Sequence, residues 1–165
     1  MSTERVRAFL DEHAPALRVV ETTADTSTVE TAAAALGVQP AQIAKTLAMR
    51  AGDRLLLVVA RGDARVDNAK FRQTFGAKPR MLAAPETEAL TGQPVGGVSP
   101  FGHPEPLDVH LDESLRAFDL VYPAGGSRNS AVPVEPDELA RITGGRWVDV
   151  TRVPALDDER PADPA

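Results

Sequence analysis

The chain has 165 residues, 42% of them hydrophobic and 25% charged, enough for one domain with a sizeable core. It has no cysteine, which excludes disulfides, thiolate metal ligands and a cysteine nucleophile together. A net charge of −6 argues against indiscriminate nucleic-acid binding, DNA included, though not against a local basic face. No N-terminal apolar run of signal or membrane length is present, so the reading is a cytoplasmic protein.

Val6, Phe9 and Leu10 share one face of a helix over residues 3–13, stopped near Pro15. Arg18–Glu21 reads as a short strand. Ser27-Thr28-Val29-Glu30 has the spacing of a capping box, opening an alanine-rich helix that ends at Gly37. Pro40 suits the first turn of another short helix carrying Ile43 and ending around Ala44. Residues 45–50 and 54–60 then form an antiparallel pair about the Gly52-Asp53 turn. A helix over 67–75 starts on Asp67 and stops at Gly76, followed by a brief strand at 80–82 and a helix at 86–91. Leu107–Asp112 alternates as a strand with one side toward water. Short strands at 119–122 and 131–134, a helix from Pro136 to Ile142 and a strand at 147–150 complete the set. Together these elements make a single α/β (α+β) domain over 1–153, with a mixed, mostly antiparallel, curved sheet among short helices. The polar tail 154–165 reads as disordered.

Three features carry chemistry. The first is Gly96-Gly97-Val98-Ser99-Pro100-Phe101-Gly102. Glycines there permit positive φ and close approach of a ligand, and exposed amides can form a nest for an oxyanion; a wide turn between two elements is the alternative. The run is not a nucleophile elbow, because Phe101 stands where G-x-S-x-G needs glycine, and it fits neither phosphate-loop pattern. The second is Lys45, one of three lysines against fifteen arginines, at a helix-to-strand boundary where an ammonium could hold a phosphate or carbonyl oxygen. The third is residues 61–80, six cations against Asp63 and Asp67: a phosphate-facing patch or a solvated helix face. The three histidines, His13, His103 and His110, share no metal-ligand spacing, so no metal is expected.

Leu36-Gly37-Val38, Ile43-Ala44-Lys45-Thr46-Leu47, Thr91-Gly92, the glycine run, Leu111-Asp112-Glu113-Ser114-Leu115, Gly125-Gly126 and Pro136-Asp137-Glu138-Leu139 together resemble the YbaK/EbsC family. That superfamily includes the editing domain inserted in bacterial prolyl-tRNA synthetase. The resemblance implies a cofactor-independent aminoacyl-tRNA deacylase acting in trans on mischarged tRNA such as Cys- or Ala-tRNA(Pro), with prolyl-tRNA synthetase as a further partner. It implies catalytic roles for Lys45, Gly97 and Ser99. It also implies a substrate pocket drawn from Thr46, Gly96, Val98, Pro100, Phe101, Gly125, Gly126, Asn129 and Ser130. The family's proposed chemistry uses the terminal ribose hydroxyl of the tRNA, or water oriented by it. After Gly125-Gly126 this chain departs from the family pattern, with Ser127-Arg128-Asn129-Ser130-Ala131 and no carboxylate. The edited amino acid and tRNA, and the oligomeric state, stay open. The rival readings are a non-catalytic module that binds charged tRNA or a synthetase, and a small-molecule binding protein.

Overall fold

The computed structural model describes residues 2–154, so residues 155–165 of the tail lie outside it. The chain opens with α1 (Ser2–His13) and β1 (Val20–Glu21). Helix α2 (Val29–Leu36) does begin with a capping box, but one residue later than the sequence pattern gives. Thr28 accepts from the Thr31 amide, and the Thr31 hydroxyl accepts from the Thr28 amide. Threonine therefore fills the role expected of Glu30. Gly37, left-handed at φ 72°, ends the helix. Pro40–Gln42 is a single 3-10 turn, and Ile43 already opens β2 (Ile43–Ala51) instead of closing a helix.

Strand β2 turns at Gly52-Asp53 into β3 (Arg54–Arg61), and the two pair antiparallel along their length, from Ala44 opposite Arg61 to Ala51 opposite Arg54. Leu56 to Ala60 are all buried, because β3 has apolar layers on both faces. Residue parity sorts the layers. Ala44, Ala48, Leu57 and Val59 pack with Val6 and Leu10 of α1. Met49, Ala51, Leu56 and Val58 pack with Phe71.

Then follow β4 (Arg65–Val66), α3 (Asn68–Phe75, capped by Asp67), β5 (Pro79–Met81) and α4 (Ala84–Thr91). After the glycine run come β6 (Val109–Asp112), a 3-10 turn over Glu113–Ala117, β7 (Tyr122–Pro123) and β8 (Ser130–Ala131). The described chain closes with α5 (Pro136–Thr143), β9 (Arg146–Val148) and β10 (Thr151–Arg152). The main sheet runs β5-β2-β3-β6-β9, with β7 joined to β2; β1 pairs with β8 and β4 with β10. The longest ladder, β2 with β3, is antiparallel, while β3-β6, β6-β9 and β2-β7 are parallel, so the sheet is mixed as expected.

Strand β6 corrects one expectation. All four of its residues are buried, and no face meets water. It lies between β3 and β9, and its polar side chains find partners inside the protein, except for the buried His110 Nδ1, which has none among the described residues. Asp112, 1% exposed, accepts from the amides of Ser114 (3.0 Å) and Val150 (2.8 Å) and from the Thr151 hydroxyl (2.7 Å). His110 Nε2 lies 2.9 Å from Asp108. Asp112 thereby ties β6 to the β9–β10 segment, which returns to pair with β4. Removing it orphans buried donors at about 1–3 kcal/mol each. Asp112→Ala is expected to lose at least about 3 kcal/mol of unfolding free energy, measured by urea denaturation.

Candidate active site

Strand β3 covers one edge of β2 from Ala44 to Ala51. The other edge is covered only at its ends. Strand β7 pairs with Ile43 and Ala44, and β5 pairs with Met49 to Ala51. The gap has local causes. Pro123 in β7 has no amide to donate. Beyond Leu82, whose amide donates to the Ala48 carbonyl at 3.1 Å, the chain turns away into α4 with Pro85 in its first turn. Over the uncovered stretch lies a cavity of about 230 Å³. Lys45 to Ala48 form its floor. Its walls come from Thr26–Val29, Ala32 and Leu36 on one side, Val95, Gly96 and Val98 on another, and Tyr122, Ala124, Ser130 and Ala131 on a third. Met81 and Val95, both exposed, stand among the lining residues.

Lys45 is half-buried, and its ammonium donates to the carbonyl of Ala64 in the turn between β3 and β4. That turn is pressed close: a Cβ on Gly62 would stand 2.2 Å from the Pro40 carbonyl oxygen. Arg61 holds Asp63 in it through two bonds, 2.6 and 3.0 Å. Burial is the main influence on Lys45 and pushes its pKa below the usual lysine value; Asp63 and Glu30 oppose that shift and Arg65 adds to it. One of three ammonium donors is spent on Ala64, which leaves two for a ligand.

The glycine run is held at several points. The buried Gln93 amide accepts from the Ser99 amide (2.8 Å) and donates to the Phe101 carbonyl (3.1 Å). His103 Nε2 sits 2.7 Å from the Ser99 carbonyl, so the ring donates there; burial lowers its pKa and that bond opposes the shift. Arg128 donates to the Val95 carbonyl at 2.8 Å. Glycine is required by protein packing at Gly96 and Gly97, as it is at Gly102, where a Cβ would stand 2.9 Å from the Val6 backbone. A Cβ on Gly97 would lie 2.5 Å from the Ser127 carbonyl carbon, and one on Gly96 (φ 95°) 2.8 Å from Ser27 Cβ. The missing Cβ of Gly97 thus admits the Ser127 backbone, where the sequence suggested a ligand.

Of the residues implied by the resemblance, Lys45, Thr46, Gly96, Val98 and Ser130 meet at this cavity. The others do not line it. The Gly97 amide is engaged by the Pro94 carbonyl at 2.8 Å. Ser99 is fully buried behind the loop. Pro100 and Phe101 line a separate groove, with the Phe101 ring stacked on Phe9 at 5.3 Å. Gly125 and Gly126 shape the turn beneath Ser130, where the Gly125 amide donates to the Ser130 carbonyl. Exposed Asn129 donates to the Thr22 carbonyl. Sequence reasoning missed Thr26, Met81, Val95 and Tyr122, each in a different segment. The Thr26 and Thr46 hydroxyls are buried without a hydrogen-bond partner among the described residues.

The basic segment divides. Arg61 is bound to Asp63, and Lys70 to Asp149 and the Thr151 carbonyl. Arg65, Arg72, Lys78 and Arg80 are exposed and make no ion pair among the described residues.

Comparison with known proteins supplies the family. The aminoacyl-tRNA editing domain matches residues 23–142. YwhH of Bacillus subtilis, itself uncharacterised, is 44% identical over 154 residues, spanning 92% of this chain and 98% of its own. EbsC of Enterococcus faecalis, a candidate Cys-tRNA(Pro)/Cys-tRNA(Cys) deacylase, is 28% identical over 130 residues, 77% of this chain and 79% of that one. A crystal structure of a candidate trans-editing enzyme for prolyl-tRNA synthetase superposes with a TM-score of 0.84 at 34% identity, covering 92% of this chain and 97% of the other.

Because its Cα faces backbone, Gly97→Ala is expected to cost about 1–3 kcal/mol by overpacking, and Gly97→Val more. Thermal melts check this, at roughly 2–4 °C per kcal/mol.

Proposed function

The chain belongs to the aminoacyl-tRNA editing domain family, and from that premise we propose that it is a trans-editing deacylase acting on mischarged tRNA of the Cys- or Ala-tRNA(Pro) kind. Water, oriented by the terminal ribose hydroxyl, attacks the ester carbonyl; the bond to the ribose oxygen breaks, that oxygen takes a proton, and the amino acid leaves as its carboxylate. The observation that carries this reading is the convergence of Lys45, Gly96 and Val98 on one partly open, mainly apolar cavity. Lys45 takes the phosphate or carbonyl side of the tRNA 3′ end. With the Gly97 and Ser99 amides already engaged, those of Gly96 and Val98 are the loop donors for the developing oxyanion. Side chains such as Ala32, Leu36 and Ala124 suit a small acyl group. Ser99 contributes by fixing the loop from behind. This mechanism asks no cofactor of the protein, since positioning and fixed donors supply the rate effect.

A panel of mischarged tRNAs tests the reading, with release of each amino acid timed against buffer. Binding without turnover would favour the non-catalytic module. On the best substrate, Lys45→Ala is expected to slow single-turnover deacylation about a hundredfold or more, and Lys45→Arg to rescue poorly because its planar head has a different shape and hydration. A rate within about threefold of wild type, below 1 kcal/mol, would remove Lys45 from catalysis. The pH profile gives an independent check. A depressed pKa means the ammonium loses its proton earlier as pH rises, so the enzyme-specific rate should fall at a pH below the usual lysine value of 10.5. In Lys45→Arg that alkaline fall should be absent.

The four unpaired cations suit the phosphates of the acceptor end of tRNA. Arg65→Glu with Arg72→Glu should weaken tRNA binding and flatten its salt dependence. Hydrolysis of a minimal aminoacyl-adenosine should scarcely change; equal loss on both substrates would move the damage to the pocket.

A further inference from the structure

In an antiparallel ladder the main-chain groups of successive residues point alternately to the two edges of the strand. In β2 the phase is fixed by Ala48, whose carbonyl accepts from Leu82 on the β5 side. Ala48 opposite Leu82 continues the register of Arg50 opposite Arg80, so the even-numbered residues face that edge. Thr46 is the even-numbered residue left between the end of β7 at Ala44 and the Ala48–Leu82 bond. Its N–H and C=O therefore point into the cavity, away from β3. The ladder phase turns both away from Val59 of β3, and outside the ladders no hydrogen bond among the described residues reaches either. A strand edge lacking both donor and acceptor partners, walled in on three sides, is a site for something that supplies both.

We propose that the substrate's own aminoacyl group fills this vacancy as a one-residue strand paired with Thr46. This deepens the deacylase reading and rests on it. An α-amino ester carries a donor, its ammonium, and an acceptor, its ester carbonyl, on adjacent carbons, as a residue in a strand does. In a hydrogen-bonded antiparallel pair, two facing residues exchange both bonds. The α-ammonium donates to the Thr46 carbonyl, and the Thr46 amide donates to the ester carbonyl oxygen, where negative charge develops on attack. Thr46 is thus a positioning and polarising residue through its main chain, and Lys45 is left to the phosphate side of the 3′ end. The consequence is a requirement for the α-amino group that does not depend on the amino-acid side chain.

The test is a substrate series on the wild-type protein, using whichever aminoacyl-tRNA is turned over. Single-turnover rates are measured for it, for its α-hydroxy counterpart and for the acyl-tRNA with hydrogen at that position. Each rate is divided by the ester's own hydrolysis rate in buffer, which removes differences in intrinsic lability. The acceleration should fall by about a hundredfold or more from the amino to the deaminated ester, as when a site built for a hydrogen bond meets an analogue lacking it. The hydroxy ester, a neutral donor, should fall between them. Equal acceleration of amino and deaminated esters, within about threefold, overturns the proposal. As a second measurement, Thr46→Pro removes the amide without breaking a bond to β3, since that N–H faces the cavity. It should lower the rate at least tenfold on the amino substrate; an unchanged rate overturns the proposal. If the proline variant melts markedly lower, the substrate series alone decides. Absence of turnover on every aminoacyl-tRNA would instead sink the deacylase reading, which separates the two failures.

Discussion

Strand β2 is paired without a break from Ala44 to Ala51 on one edge and only at its ends on the other, and the candidate site exists because of that asymmetry. A strand fully paired on both edges has no polar main chain to offer. A strand open along a whole edge would invite another chain. Here the opening is short and sits inside a cavity. The same strand sends two kinds of group to the site by different routes. Lys45 projects its side chain toward the turn at Ala64, and Thr46 presents its main chain in the plane of the sheet. On the proposed reading, adjacent residues thus serve different ends of one ligand without competing for space.

The walls must hold still for such a site to discriminate, and the structure locks them to one another. The Thr26 amide donates to the Arg128 carbonyl, and the Arg128 side chain donates to the Val95 carbonyl, so the three walls are linked in series. Gly96 against Ser27 and Gly97 against Ser127 repeat those joints as close packing. Gln93 then fixes the run internally by spanning Ser99 and Phe101. Fixed donors of this kind are useful in catalysis because they need no rearrangement when charge develops.

The sequence was most legible where the physics is local. The Gly52-Asp53 hairpin, the Asp67 cap, the Gly37 and Gly76 stops and the helix from Pro136 all follow from neighbours within a few positions. Legibility failed where distant partners decide. His110 and Asp112 read as water-facing because they are polar, yet Asp112 is buried with its donors at Val150 and Thr151, far along the chain. The site shows the same division. Lys45 stood out by rarity and position. Ser99, Pro100 and Phe101 were grouped with Gly96 because they adjoin it in sequence. The loop, however, turns its first half to the cavity and seats Phe101 against Phe9 in the core. Thr26, Met81 and Tyr122 reach the cavity from three other segments, and no spacing rule connects them.

A site that holds its ligand through the main chain has a particular selectivity problem. On the proposed reading, every aminoacyl ester offers the same ammonium and carbonyl to Thr46, so that contact cannot tell amino acids apart. Discrimination falls to the walls. A hydrophobic pocket separates groups that differ by one methylene by only about 1–3 kcal/mol, but side chains too large to enter are rejected sterically. The joint between Gly96 and Ser27 matters here, because it fixes how far apart two walls stand, and it is set by glycine packing that cannot relax outward without breaking the loop. The buried hydroxyls of Thr26 and Thr46 add the polar element of the lining. On that same reading, such a cavity takes small acyl groups as a class and leaves the identity of the tRNA to contacts outside it, where cations of residues 65–80 lie that make no ion pair among the described residues.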